Sequence, residues 1–137
     1  MDDLASVLKW SLLGIAVYFL AMAGAHFFEI KVPLLYVYYD LPSTLYQDKV
    51  ISFMAFGWSM FFVAGYSSVK RNSLRSVRYM VLAGINAVVG LGLINFFTDF
   101  KQYPGAHLGI YWAEVIVLGI AVCWIAVLYK IVKQQQE

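Results

Sequence analysis

Four stretches of this 137-residue chain are each long and apolar enough to cross a lipid bilayer as a helix, and they leave little sequence for anything else. Crossing the hydrocarbon takes about 20 apolar residues, because a helix rises about 1.5 Å per residue and no water is present to satisfy open backbone. The stretches run from about 7 to 28, 45 to 67, 74 to 97 and 108 to 132. A soluble domain is about half apolar. Here the apolar fraction is 62%, the charged fraction 13% and the mean hydropathy +0.72. The pattern predicts a single all-α domain, an integral membrane four-helix transmembrane bundle. The first stretch follows Asp2 and Asp3 instead of a basic cluster and is too long for a signal-peptide core, so it is read as a retained helix.

Within that frame the spans differ in character. The first is rich in small residues, among them Gly14, Ala16, Ala21, Ala23, Gly24 and Ala25, which permit close helix approach. The second is bulky and aromatic, with Phe53, Phe56, Trp58, Phe61 and Phe62, and Gly57 and Gly65 as expected close-approach points. Asn86 and Asn95 lie in the third, and Glu114 lies one to two turns inside the fourth. A lone Cys123 in the fourth cannot form an intrachain disulfide and is expected to pack in the core.

The connections carry the polar groups. Residues 30 to 44 form the longest; Pro33 and Pro42 oppose a continuous helix there, and Tyr36, Tyr38 and Tyr39 suit a headgroup layer. Thr44 and Gln47 make a capping box that starts the second helix near Leu45. In the short basic turn from Ser67 to Arg78, Asn72 or Ser73 is expected to cap the third helix. Lys9, Lys70, Arg71, Arg75, Arg78, Lys130 and Lys133 fall on the side of the termini, and Lys31, Lys49 and Lys101 on the other. That bias predicts both termini in the cytoplasm.

With this orientation His26, Glu29, Asn95, Asp99, His107 and Glu114 all gather at the outward end, above an apolar trunk. His26 and Glu29 are three apart and neighbours on one helical face. A charged carboxylate at a span's centre costs about 2.5–3.5 kcal/mol on insertion scales, less near the interface, so Glu114 needs a partner, a proton or a wet cavity. Three readings fit the set. It can be a structural knot in which His26, Glu114 and Asn95 satisfy one another; a pocket for a lipophilic small molecule, with acid–base chemistry open to a carboxylate beside an imidazole; or a metal site of His26, Glu29, Glu114 and His107, for which the sequence supplies no HExxH or Glu-x-x-His pair. Gly90-Leu-Gly92 does not fit a dinucleotide fingerprint, no serine elbow or Cys–His pair suggests an acyl-enzyme, and ten basic against eight acidic residues give no reason to expect nucleic acid.

The four close spans and long first connection, the group Gly24-Ala-His26-Phe-Phe-Glu29 ending the first helix, and the turn Val69-Lys-Arg-Asn-Ser-Leu-Arg75 together resemble the small four-helix membrane proteins grouped as DoxX-like. More distantly the plan is similar to the sterol-isomerase and sigma-two-receptor (EXPERA) group. The first resemblance implies roles beside membrane oxidoreductases or in membrane-protein assembly. The second implies a pocket for sterol-like ligands lined by a histidine and acids, to which His26, Glu29 and Glu114 would correspond.

The expectation is therefore a bundle that binds a lipophilic small molecule at its outward end. His26, Glu29 and Glu114 would orient the ligand's polar group, with Asn95 and Trp58 as wall residues. No metal and no cofactor is assigned. The expected partners are the bilayer, the ligand and, in the rival reading of a non-catalytic accessory or assembly subunit, other membrane proteins or a second copy. A small transporter using Glu114 as a proton-coupled carboxylate is the third reading, and it needs dimerisation to make a path.

Overall fold

The computed structural model describes residues 2–136. It contains four long helices, α1 (Asp2–Phe27), α2 (Leu45–Lys70), α3 (Arg75–Phe97) and α4 (Leu108–Gln136), and a 3-10 turn at Phe100–Gln102. All four are long and apolar enough to cross a membrane, which makes this a multi-pass membrane protein. At the end that carries the chain termini, α1, α2 and α4 run beyond the apolar stretches. Apolarity marks only the lipid-matched part of a span, and a helix continues past it wherever caps or solvent satisfy its last backbone groups.

Each helix is antiparallel to the next, and the ring closes through α4 against α1, with α1/α2 the most intimate pair and α2/α3 and α4/α1 looser. The α1/α2 seam has a visible cause. Ser52 and Ser59, seven residues apart on α2, donate hydrogen bonds of 2.8 Å to the carbonyls of Ala23 and Ala16, likewise seven apart on α1. Small side chains on α1 let the serines reach its backbone, and an interhelical bond of this kind is worth about 0.6 kcal/mol in a membrane. On the α3/α4 seam a Cβ added at Gly84 would stand 2.6 Å from a Val122 methyl, and on the α2/α3 seam one at Gly65 would stand 2.5 Å from Met80 Sδ.

The apolar core lies toward the terminal end, built from Leu8, Leu12, Phe62, Val77, Met80, Ile125, Leu128 and Val132. Buried His26, Asp48 and Asn95 lie toward the opposite end, here called the loop end because residues 28–44 fold over it.

Three sequence expectations change. Gly57 has open space where a Cβ would go, so of the two α2 glycines only Gly65 is a close-approach point. Buried α2 positions Asp48, Ser52, Ala55, Ser59 and Phe62 alternate by four and three residues, and Gly57 falls off that stripe. Cys123 is exposed, on the outward face of α4, and does not belong to the core. Asn72 and Ser73 end α2 instead of starting α3. Asn72 sits at φ 56°, its N–H bonds Val69 O at 2.9 Å and the Ser73 N–H bonds Ser68 O at 3.0 Å, a Schellman closure with asparagine in the left-handed position. The N-cap of α3 is Leu74, which has no side-chain cap bond. By contrast the Thr44–Gln47 capping box forms in full.

The seams give a direct test. Gly84→Ala drives a methyl into the stiff Val122 side chain and is expected to cost about 1–3 kcal/mol of stability, read as a lower thermal midpoint in mild detergent. Val122→Ala in the same chain restores most of it. Gly57→Ala, in open space, does not lower the midpoint.

Candidate functional site

The polar groups of the loop end fall into two clusters, joined by the connection that runs over both. The first lies between α1 and α2. His26 is in the last turn of α1 and Asp48 in the first turn of α2, so the antiparallel hairpin brings them to one level, with Nδ1 3.5 Å from Oδ1. His26 is fully buried, and its Nε2 accepts a 3.0 Å hydrogen bond from the Val37 backbone N–H. An imidazole accepting at Nε2 carries its proton on Nδ1, the side that faces Asp48. Tyr36, itself buried, stacks on the imidazole with ring centroids 4.0 Å apart. Ser43 completes the group by donating to Asp48 Oδ2 at 2.9 Å.

The second cluster lies against α3 and α4. Asp40 accepts from the His107 backbone N–H at 2.8 Å, lies 2.6 Å from His107 Nδ1 and accepts from the Tyr111 hydroxyl. An acid from the connection thus serves the N-terminus of α4, where free N–H groups and the helix dipole favour negative charge. Burial pushes the Asp40 carboxyl up, but the hydrogen bonds from Tyr111 and His107 outweigh it and hold the group below its ordinary value. Tyr38 donates to Asn95 Oδ1 at 3.0 Å and packs edge-on against Tyr111, centroids 4.7 Å apart. Deeper on α4, Glu114 faces the backbone N–H of Leu34, whose carbonyl accepts from the Tyr18 hydroxyl.

These anchors hold the connection in a shape its residues do not favour. Leu34 and Tyr38 have φ of 69° and 53°, a left-handed conformation that costs an ordinary L-residue roughly 1–2 kcal/mol. Each is tied down on both sides, Leu34 through its N–H and carbonyl, and Tyr38 through its hydroxyl and ring.

Beneath the connection is a cavity of ≈ 430 Å³, with walls from all four helices and a roof that includes Val37. Phe19, Trp58, Phe62, Leu91 and Leu118 represent its lining, in which Asn86 and the Trp58 indole supply the side-chain polar atoms. Met54 on α2 and Ile94 on α3 line it and are also 62% and 51% exposed. The wall therefore opens sideways between α2 and α3, the looser seam.

The five residues expected to hold a ligand do not form one group. Trp58 lines the cavity, and Asn95 and Glu114 lie above its rim with Tyr38. His26 belongs to the α1/α2 cluster, and Glu29, at φ 57° just past the end of α1, is exposed. His26 and Glu114 are engaged by different residues of the connection, Val37 and Leu34, and are not bonded to each other. Among the described residues no three of His, Cys, Asp or Glu stand close enough to share a metal ion. Reading the sequence missed Asp48, Tyr36, Tyr38, Asp40 and Tyr111 as partners. The available signal was depth: residues one turn from either end of a tight antiparallel hairpin, such as 26 and 48, lie side by side.

No known family, curated protein or solved structure matches this chain.

The Asp40 anchor has a pH signature. A carboxyl held below its ordinary 3.8 stabilises the fold fully above that value, and the contribution is lost as pH falls through the lower folded-state value. The thermal midpoint in detergent is therefore expected to drop on acidification below about pH 4. Asp40→Asn should lower the midpoint at neutral pH by a few degrees and flatten its dependence in that acid window.

Proposed function

We propose that the protein binds a lipophilic small molecule in the central cavity, reached sideways from the bilayer between α2 and α3. The observation that carries this reading is the ≈ 430 Å³ cavity, almost wholly apolar, in a bundle whose α1/α2 seam closes on serine–backbone bonds and whose α3/α4 seam closes on Gly84. Pockets for small molecules have volumes of about 300–1,000 Å³ and combine apolar walls with a few polar groups that fix orientation. Asn86 and the Trp58 indole are such groups on these walls. The lining has no titratable side chain, which favours binding over acid–base chemistry on the part of the molecule held there.

Access from the loop end is closed by residues 28–44, hydrogen-bonded to both halves of the bundle. The exposed pair Met54 and Ile94 supports a lateral mouth, a route suited to a molecule already dissolved in lipid. The excess of basic residues beside the termini supports cytoplasmic termini and a lid on the opposite side. The rival reading, an accessory subunit of a larger complex, draws on exposed aromatics such as Phe53, Phe96 and Phe97, which lipid chains suit equally.

Native mass spectrometry of protein released from nanodiscs separates these readings. The expected spectrum shows a retained lipophile on the intact chain. Filling the cavity with Ala87→Phe or Ala121→Phe should remove at least nine-tenths of that load from a variant that remains monodisperse, about a tenfold loss of affinity. A load unchanged in both folded variants rules the cavity out. A protein partner in place of a small molecule favours the accessory subunit.

A further inference from the structure

The apolar walls end, at the loop end of α3 and α4, beneath two buried polar atoms that have no hydrogen-bond partner. One is Asn95 Nδ2, on a side chain 4% exposed; the other is Glu114 Oε1. Both stand directly over the cavity. Leu91 and Leu118 line it, and Asn95 and Glu114 are each four residues nearer the loop end, on the same helix faces and about 6 Å farther along. Tyr38 donates its hydroxyl to Asn95 Oδ1 at 3.0 Å, and burial first and the Glu114 charge second push its phenol above its ordinary value. Val37, the neighbour of Tyr38, is part of the cavity roof.

An unpaired buried donor and an unpaired buried acceptor at one level of the α3/α4 seam, whose register sets Gly84 against Val122 and Gly119 against Val88, are each costly, and a charged group more so. The pair also has a definite complement. With Oδ1 already taken, Asn95 offers only N–H, while Glu114 Oε1 accepts in the carboxylate and equally in a carboxyl that carries its proton on the other oxygen. An ether or carbonyl oxygen would satisfy Asn95 alone, and an ammonium Glu114 alone. A hydroxyl accepts from one and donates to the other.

We infer that the ligand of the cavity is a lipophilic alcohol, its hydrocarbon body between the helices and its hydroxyl bridging Asn95 Nδ2 and Glu114 Oε1. This rests on the lipophile reading above and gives it a chemical class. Asn95 and Glu114 act as the head-group clamp, and Trp58 and the leucines above hold the tail. A buried water can make the same two hydrogen bonds, and it is the alternative the test must separate.

The probes are 1-dodecanol and its methyl ether, which share a tail and differ in the hydroxyl proton. They are offered together to the protein in nanodiscs, and the retained ratio is read by native mass spectrometry. The alcohol should exceed the ether by about tenfold in the unmodified protein, the worth of one hydrogen bond. Glu114→Met should bring the ratio close to one while the summed load stays, and Asn95→Leu, which removes the donor that both probes accept from, should lower the load of both and leave the ratio. Glu114→Gln, which keeps size and shape, should give an intermediate ratio and serves where the Met variant does not fold.

Equal retention of the two probes by the unmodified protein overturns the alcohol assignment, leaves the lipophile reading standing and assigns the polar pair to water. A preference that survives Glu114→Met, or is undiminished in Glu114→Gln, overturns it too, because the hydroxyl then donates elsewhere, and a load of both probes that Asn95→Leu leaves unchanged does the same. Retention of neither probe removes the lipophile reading and this inference together.

Discussion

The loop end depends on satisfying the backbone of a non-helical segment folded onto a membrane bundle. Residues 28–44 contain two prolines and no helix, and backbone of that kind is tolerated near lipid only where protein supplies the missing partners. Here helix side chains supply them. His26 accepts from the Val37 N–H, Tyr18 donates to the Leu34 carbonyl, and Glu114 faces the Leu34 N–H. Polar residues that look misplaced in apolar spans are thus the sockets into which the connection plugs.

That arrangement explains the gradient along the bundle. At the terminal end four helices meet in apolar contact around Leu8, Leu12, Val77 and Ile125. Toward the loop end the α1/α2 pair stays closed through Ser52 and through His26 with Asp48, and a hollow lies between that pair and α3 and α4. The hollow is apolar because the helix faces that line it continue the core pattern. Its polar fringe comes from the sockets one turn above.

Much of this architecture was legible in the residue order. Four long apolar stretches admit few other folds, and Thr44 with Gln47 marked the start of α2 to the residue. His26, Asn95 and Glu114 stood out because they break apolar runs, and all three prove to have structural partners in or beside the connection. What sequence could not supply was pairing. Asp48 reads as an ordinary polar start to a helix until the hairpin sets it against His26. Leu34 and Val37 bond through backbone atoms, which no residue type betrays. Gly57 and Gly65 look alike in the chain, and only the face occupied by Ser52 and Ser59 tells which one meets a neighbour.

The tight α1/α2 seam bears on how the chain enters its membrane. Ser52, Ser59 and His26 with Asp48 find their counterparts within the first hairpin and its connection, so that pair leaves few polar groups waiting when it reaches the lipid. Leu34 and Tyr38 of the connection must instead wait for Glu114 and Asn95, which are synthesised later. The first half of the chain thus serves as a template on which the second half docks, and the order of translation matches the order in which burial becomes affordable.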